Sequence, residues 1–444
     1  MKKLYIIIGA LFFLTACDNE LEQFPPNIAS ADSLTDFDGV LNAAYFYNRG
    51  SVTPMAVMGD FRADNALMDE SPFTEFDVFT PNLTMMEDQF FGPFYTQMYR
   101  CILSANTVIE NSTNATQIGE AQFLRGLAYF KLARVFGDAT INLDDAPSTT
   151  DQSILMRSPV SDVYAQIISD LEAAIAALDT EIVNGRASQF AAQGMLGKVY
   201  MQLGQFSNAE PHLAAVVNGA AGAGISLQAN FADIFGMVND LNSEVIFAAQ
   251  ISSSISDEYG FSEFWSWSGG LDTKSLLPLD MDLVNAFEAV SGEIADPAVG
   301  DLRRAVTIDT SVMASPKFPQ TDGPEHDWIE LRLADVILLY AEALNETGSG
   351  AGTVLGLLDP IRTRAGLNPI DPAVVSSQAA IRQAIQDERR LELAFEGQRW
   401  FDLVRTGTVN AEMGVTVPSE FLIFPVPNSE VLAFPEVIFQ NPGY

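Results

Sequence analysis

The densest chemistry in this sequence is aromatic. Tyr259, Phe261, Phe264, Trp265 and Trp267 fall within nine residues, among Ser and Gly that argue against a regular element. Flat aromatic faces stack on the apolar C–H faces of sugar rings, and a few polar side chains nearby complete such a pocket by binding hydroxyls. Tyr259, Phe264, Trp265 and Trp267 are therefore the candidate ligand platform. A second irregular stretch, Thr53 to Glu87, mixes Asp, Asn and Pro with Phe61, Phe73, Phe76 and Phe79. Phe61, Arg62 and Asp64 are candidates for the opposing wall, since ligand sites favour loops of this kind. The same aromatic residues would also plug a hydrophobic gap or pin a loop onto the core, and that reading stays open.

Other chemistries are thinly provided. The chain has only two histidines, His212 and His326, and two cysteines, Cys17 and Cys101. There is no His-Glu-x-x-His, no cysteine cluster, no P-loop and no Gly-x-Ser-x-Gly. No cofactor and no metal site are expected, and no enzyme. A glycoside hydrolase needs only two carboxylates, and Glu263 and Asp272 flank the tryptophan pair. A lipid-anchored glycosidase therefore stands as an alternative, without a motif in its favour.

Charge narrows the partners. Lys and Arg total 23 against 58 Asp and Glu. The chain opens with Lys2 and Lys3, an apolar run from Leu4 to Leu14, then Thr15-Ala16-Cys17. This is the layout of a secretory signal, too short for the roughly 20 apolar residues of a membrane span. Leu14–Cys17 also has the form of a lipobox, with Cys17 as the acylated first residue of the mature chain. Removing residues 1–16 takes two lysines and no acids, leaving 21 basic against 58 acidic side chains, a charge of −37. Such a surface excludes nucleic acid and fits a neutral or cationic ligand. With Cys17 acylated, Cys101 has no disulfide partner, and stability must come from an ordinary core.

The elements that position these residues read as helices. Residues 17–31 form an acidic linker with Pro25-Pro26. Phe37, Val40, Leu41, Ala44 and Tyr45 then make one stripe, and helices are predicted over Phe90–Asn111, Glu120–Phe136 and Asp162–Leu178. In 191–217, Leu196, Gly197, Tyr200, Gly204, Phe206, Ala209 and Leu213 fall where a tetratricopeptide repeat places its packing residues. Gly197 and Ala209 would let two antiparallel helices approach, with Ser207 as a cap and Pro211 in the second helix's first turn. Weaker echoes at 119–136 and 333–348 predict an array of such pairs. Glu244–Gln250 is strand-like, and helices are expected over Trp328–Glu346 and Thr353–Ala365. The stretch Asp387–Gly407 reads as one amphipathic helix with Arg389–Glu392, Glu396–Arg399 and Asp402–Arg405 at i,i+3 spacing.

That last stretch carries a resemblance. ERRLELAFEGQRWFDLVRTG (Glu388–Gly407), with FLIFPVPNSEV and the closing QNPGY, closely resembles the C-terminal region of the SusD/RagB family. EAQFLRGLAYFKLARVFGD (Glu120–Asp138) resembles a second block of that family, and Pro278–Arg304 a third, with an Asp–Arg pair at Asp301 and Arg303. The resemblance implies a mainly α fold, a tetratricopeptide-like helical array with long loop-rich insertions. It implies a nutrient-binding lipoprotein on the cell surface, held in the outer membrane through Cys17, with Asp18, Asn19 and Glu20 as an acidic export tag. Its partners would be an oligosaccharide or polysaccharide and a TonB-dependent, SusC-like transporter, for which the protein would act as lid. Peptide cargo, or protein binding by the helical array alone, are the alternatives. The expected organisation is a signal peptide (1–16), a linker (17–31), an N-terminal region with helix pairs (32–255), a loop-rich ligand-binding insertion (256–327) and a C-terminal region (328–444).

Overall fold

A computed structural model describes residues 37–444, apart from 69–70, 149, 184, 237–238, 253–278, 291–299, 312 and 319–325. Cys17 and the segments around it lie outside the described residues. Eleven helices of eight residues or more occur among those described: α1 (Asp38–Arg49), α2 (Gly92–Asn111), α3 (Ala115–Phe136), α4 (Val160–Ala177), α5 (Gln189–Gln202), α6 (Phe206–Gly219), α7 (Met281–Ala289), α8 (Leu333–Glu346), α9 (Ala351–Arg364), α10 (Gln378–Leu393) and α11 (Arg399–Thr406). Helix α1 packs on α2, α2 on α3, and so on through α6; α6 then packs on α8, and α8 on α9 and α10. This is the expected mainly α array. No described helix is long and apolar enough to cross a membrane.

Local chemistry sets the helix ends. Asn114 opens α3 by accepting from the Thr116 and Gln117 amides, and Ser188 opens α5 by accepting from Ala191. Packing then fixes the pairs. A Cβ built on Gly197 of α5 would lie 2.5 Å from Leu213 Cδ2 of α6, so any larger residue would have to displace the Leu213 side chain. Ser207, expected as a cap, instead lies inside α6, which begins at Phe206 after Gln205. Pro211 falls in the helix interior, beyond the first turn, and α6 runs through it with one backbone donor missing.

The single described sheet has two antiparallel strands, β1 (Val245–Ala249) and β2 (Trp328–Arg332), with Val245 opposite Arg332 and Ala249 opposite Trp328. The helix expected from Trp328 therefore starts only at Leu333. Its first five residues are extended because they pair with β1, a partner about 80 positions away that a local pattern does not contain.

The stretch 387–407 also breaks. Helix α10 ends at Leu393, Phe395 and Gly397 take φ of 63° and 70°, and α11 starts at Arg399. At this turn the chain meets the segment around Gly59: a Cβ on Gly59 would lie 2.2 Å from the Gly397 carbonyl oxygen. The buried Asp60 carboxylate closes the contact, accepting from the amides of Phe395 (3.2 Å) and Gly397 (2.5 Å). A uniform helix would have no room for that approach.

Candidate functional site

Tyr259, Phe264, Trp265 and Trp267 lie outside the described residues. What is described is how the chain leaves for this segment and returns from it. On leaving β1, the Ile251 amide donates to Asp327 Oδ1 at 2.8 Å, just ahead of β2. On return, Leu279 bridges Ala66 and donates to the Met313 carbonyl, and the Asp280 amide donates to the Asn65 carbonyl at 3.1 Å. Asp280 then caps α7, accepting from the Asp282 amide at 2.8 Å. One end of the aromatic segment is thus tied to the sheet and the other to residues 65–66.

Buried ions lie close in sequence to both anchors, Arg332 at the end of β2 and Asp64 beside Asn65. The central cluster contains Arg303, Lys317, Arg332, Arg362 and Arg364 against Asp301, Glu244, Glu388, Glu392 and Glu396, so its formal charges cancel. Arg332, at the end of β2, forks onto Glu396 with two contacts of 2.8 Å and reaches Glu392 at 2.7 Å. Glu392 also meets Arg303 and Arg364. Burial works against the Glu392 charge, and the Arg364, Arg332 and Arg303 guanidinium groups outweigh it, holding the carboxyl well below its ordinary value.

A second balanced cluster joins Lys198 of α5, Asp335 and Glu342 of α8, Arg389 of α10, and Asp402 and Arg405 of α11. A third joins Arg390 and Arg399 to Asp64 and Glu412. The side chains of all ten cations are at most 12% exposed. These ten of the chain's 23 basic residues are set inside, one for one against acids.

The proposed opposing wall does not survive this geometry. Phe61, Arg62 and Asp64 are 1%, 0% and 3% exposed. The Arg62 guanidinium donates to the Phe76 and Phe421 carbonyls at 3.2 and 3.1 Å and lies 4.5 Å from the Phe79 ring centre, between Trp400 and Phe424. Burial lowers its pKa to about 10. Asp64 takes a two-point fork from Arg399, both contacts 2.7 Å. Burial opposes its charge, and Arg399 and Arg390 outweigh that and leave it below the usual carboxylate range. These three residues hold the framework and are closed to ligand.

Of the three i,i+3 pairs expected in the C-terminal stretch, Asp402–Arg405 forms, at 2.8 Å. Arg389 goes instead to Asp335 and Asp402, Glu396 to Lys317 and Arg332, and Arg399 to Asp64 and Glu412. The break after Leu393 separates Glu396 from the helix of Arg399, while Arg389 and Glu392, both in α10, are taken up by partners on other elements. Glu244, Lys317, Arg332, Arg362 and Arg364 were not singled out by sequence reasoning. The available signal was their rarity, since in a chain with 23 basic residues each one inside an apolar run marks a buried partner.

His212 Nδ1 is 2.6 Å from Gln193 Oε1, with its ring stacked on Tyr200, and no described group of three His, Cys, Asp or Glu could hold a metal.

Residues 306–416 match the family described as "SusD family", and residues 18–201 match "Starch-binding associating with outer membrane". The chain belongs to the SusD/RagB family. It is similar to SusD-like protein P2 of Formosa agariphila, at 26% identity over the whole of both chains. SusD-like folds of known structure superpose on it closely. A SusD superfamily protein from Bacteroides vulgatus matches with a TM-score of 0.76 and 22% identity, covering 92% of this chain and 99% of its own. A laminarin-binding SusD-like protein matches with a TM-score of 0.69 and 24% identity, covering 93% and 99%.

Proposed function

We propose that this chain is a cell-surface lipoprotein that binds a neutral oligosaccharide or polysaccharide and hands it to a TonB-dependent, SusC-like transporter in the outer membrane. The observation that carries the reading is the aromatic segment itself: five rings within nine residues, on a stretch whose two ends are tied to a rigid, charge-balanced framework. A platform of this kind needs stiff support, because rings that must be ordered on binding forfeit affinity. Trp265 and Trp267 would stack on sugar faces, with Tyr259 and Phe264 extending the platform.

Support comes also from the family, in which one solved relative binds laminarin and another was solved with a xylogluco-oligosaccharide. The charge of −37 disfavours sulfated or uronic polymers and favours uncharged glucans. Acylation of Cys17 would tether the body, and delivery to the transporter follows from the family role that the C-terminal block implies. No catalytic step is assigned.

The test is affinity gel electrophoresis of the Asp18–Tyr444 body against laminarin, xyloglucan and a sulfated polysaccharide, with Trp265→Ala and Trp267→Ala beside it. Retardation by a neutral glucan, lost in either variant with the fold intact, is the expected result. Retardation by the sulfated polymer alone would overturn the charge argument. Retardation by none would move the weight to peptide cargo.

A further inference from the structure

A second opening lies far from that chemistry in character. Between α2, the 140–155 loop and the C-terminal segment is a cleft of about 420 Å³, with Tyr95, Leu103, Leu155, Glu430 and Ile438 in its lining. Leu103 in the lining is 40% exposed, and three large apolar residues within two positions of lining residues are exposed as well: Met156 59%, Leu432 79% and Phe439 64%. Large apolar side chains clustered around one opening mark a binding surface rather than scattered surface residues.

The polar groups of the cleft say what kind of ligand fits. Tyr99 exchanges hydrogen bonds with Thr140, the Thr140 hydroxyl donates to the Leu155 carbonyl at 2.7 Å, and Asn142 Oδ1 accepts from the Asp144 amide at 3.0 Å. Sugar hydroxyls would find these partners already taken, and the cleft's one lining cation, Arg100, lies with its guanidinium 5.8 Å from the Tyr47 ring centre. Glu430 is different. Its carboxyl is half-buried and makes no hydrogen bond or ion pair among the described residues. Burial and the neighbouring Glu87 carboxylate raise its pKa above the ordinary value, and a cation placed there would relieve both. Glu87 itself is held by the Asn428 and Ser429 amides. A second copy of this chain, at −35, carries the wrong sign.

We propose that this cleft docks a segment of a partner protein that inserts an apolar side chain and sets a neighbouring lysine or arginine against Glu430. The occupant is a basic, apolar-anchored peptide surface, and this assignment stands independently of the glycan reading.

The test pans random twelve-residue peptides displayed on phage against the detergent-solubilised full chain. Enriched sequences are expected to pair an aromatic or large aliphatic residue with a nearby Lys or Arg. A synthetic peptide of that sequence should lose about tenfold in affinity, roughly 1.4 kcal/mol, in Glu430→Gln and in Leu103→Asp. It should bind Trp267→Ala undiminished, and weaken with salt for the parent protein but not for Glu430→Gln. Absence of enrichment, or peptides indifferent to both cleft variants, would overturn the proposal. Dimerisation in sedimentation that Leu103→Asp abolishes, or glycan binding lost in the same variant, would overturn it in favour of a second copy or a sugar.

Discussion

Where α5 meets α6 the contact is apolar and close, with Gly197 under Leu213 and Ala209 and Val216 buried beside it. Where α10 and α11 meet β2 and the 60–66 segment, the contact is ionic: Glu392 and Glu396 against Arg332, and Arg390 and Arg399 against Asp64. The first kind of contact is tolerant in direction and intolerant in volume. The second tolerates little in direction, because each guanidinium fork must meet its carboxylate in plane. The α5–α6 pair is built by the first; the C-terminal helices are joined to β2, to the 60–66 segment and to α5 and α8 by the second.

Removing one ion should therefore cost most. Glu392→Gln leaves Arg303, Arg332 and Arg364 short of a charge partner, and breaking a buried pair in this way costs about 3–5 kcal/mol. Urea unfolding should show a loss of that size; a loss below about 1 kcal/mol would mean that the cluster is not an energetic unit. Gly197→Ala comes next. Its new Cβ would lie 2.5 Å from Leu213, and overpacking of this kind costs about 1–3 kcal/mol. Leu213→Ala in the same chain should recover part of it, and strict additivity in that double variant would contradict the contact.

Acid and alkali should act on the two kinds of buried carboxylate in opposite senses. Burial raises Asp60 and Asp327 to about 7, so the folded state holds a proton that the unfolded state releases near 4. Their contribution is present at low pH and is lost as pH rises towards 7. Glu392, Glu396, Asp335 and Asp402 lie below their ordinary values because their cationic partners outweigh burial. Their contribution is present above about pH 4 and disappears as pH falls through the folded-state values. Asp327→Asn keeps an oxygen for the Ile251 amide and should flatten the stability slope between pH 4 and 7 by up to about 1.4 kcal/mol per pH unit. An unchanged slope would remove Asp327 from this role. The smallest effect is expected at Arg382–Glu346, whose arginine is 39% exposed. Arg382→Gln should cost less than about 1 kcal/mol and less still in high salt.

The same comparison explains what could be read from the sequence. The array was legible because its signal is local. The 3–4 spacing of Ala121, Leu124, Ala128, Leu132 and Phe136 and the small residues at Gly197 and Ala209 announce helices that pack closely. The ionic framework was legible in composition but not in connectivity. Four arginines within 389–405 were conspicuous, yet Arg399 finds Asp64 335 positions away, and Arg332 finds Glu396 64 positions away. An i,i+3 rule cannot anticipate that once Phe395 and Gly397 end the helix. Phe61, Arg62 and Asp64 looked like ligand groups for the same reason: a loop rich in Phe, Arg and Asp has one composition whether it faces solvent or an ion cluster.

The measurement that tests the division most directly is isothermal titration of the glucan retained in the gel assay into the parent protein and the Trp265→Ala/Trp267→Ala variant, with melting curves of both. At about 1–3 kcal/mol per stacked ring, borrowing the scale of base–aromatic stacking, binding by the variant should fall by about thirtyfold or more while its unfolding midpoint stays unchanged. Undiminished binding at an unchanged midpoint would contradict the assignment of the platform. A lowered midpoint would show that these rings belong to the core rather than to a ligand site.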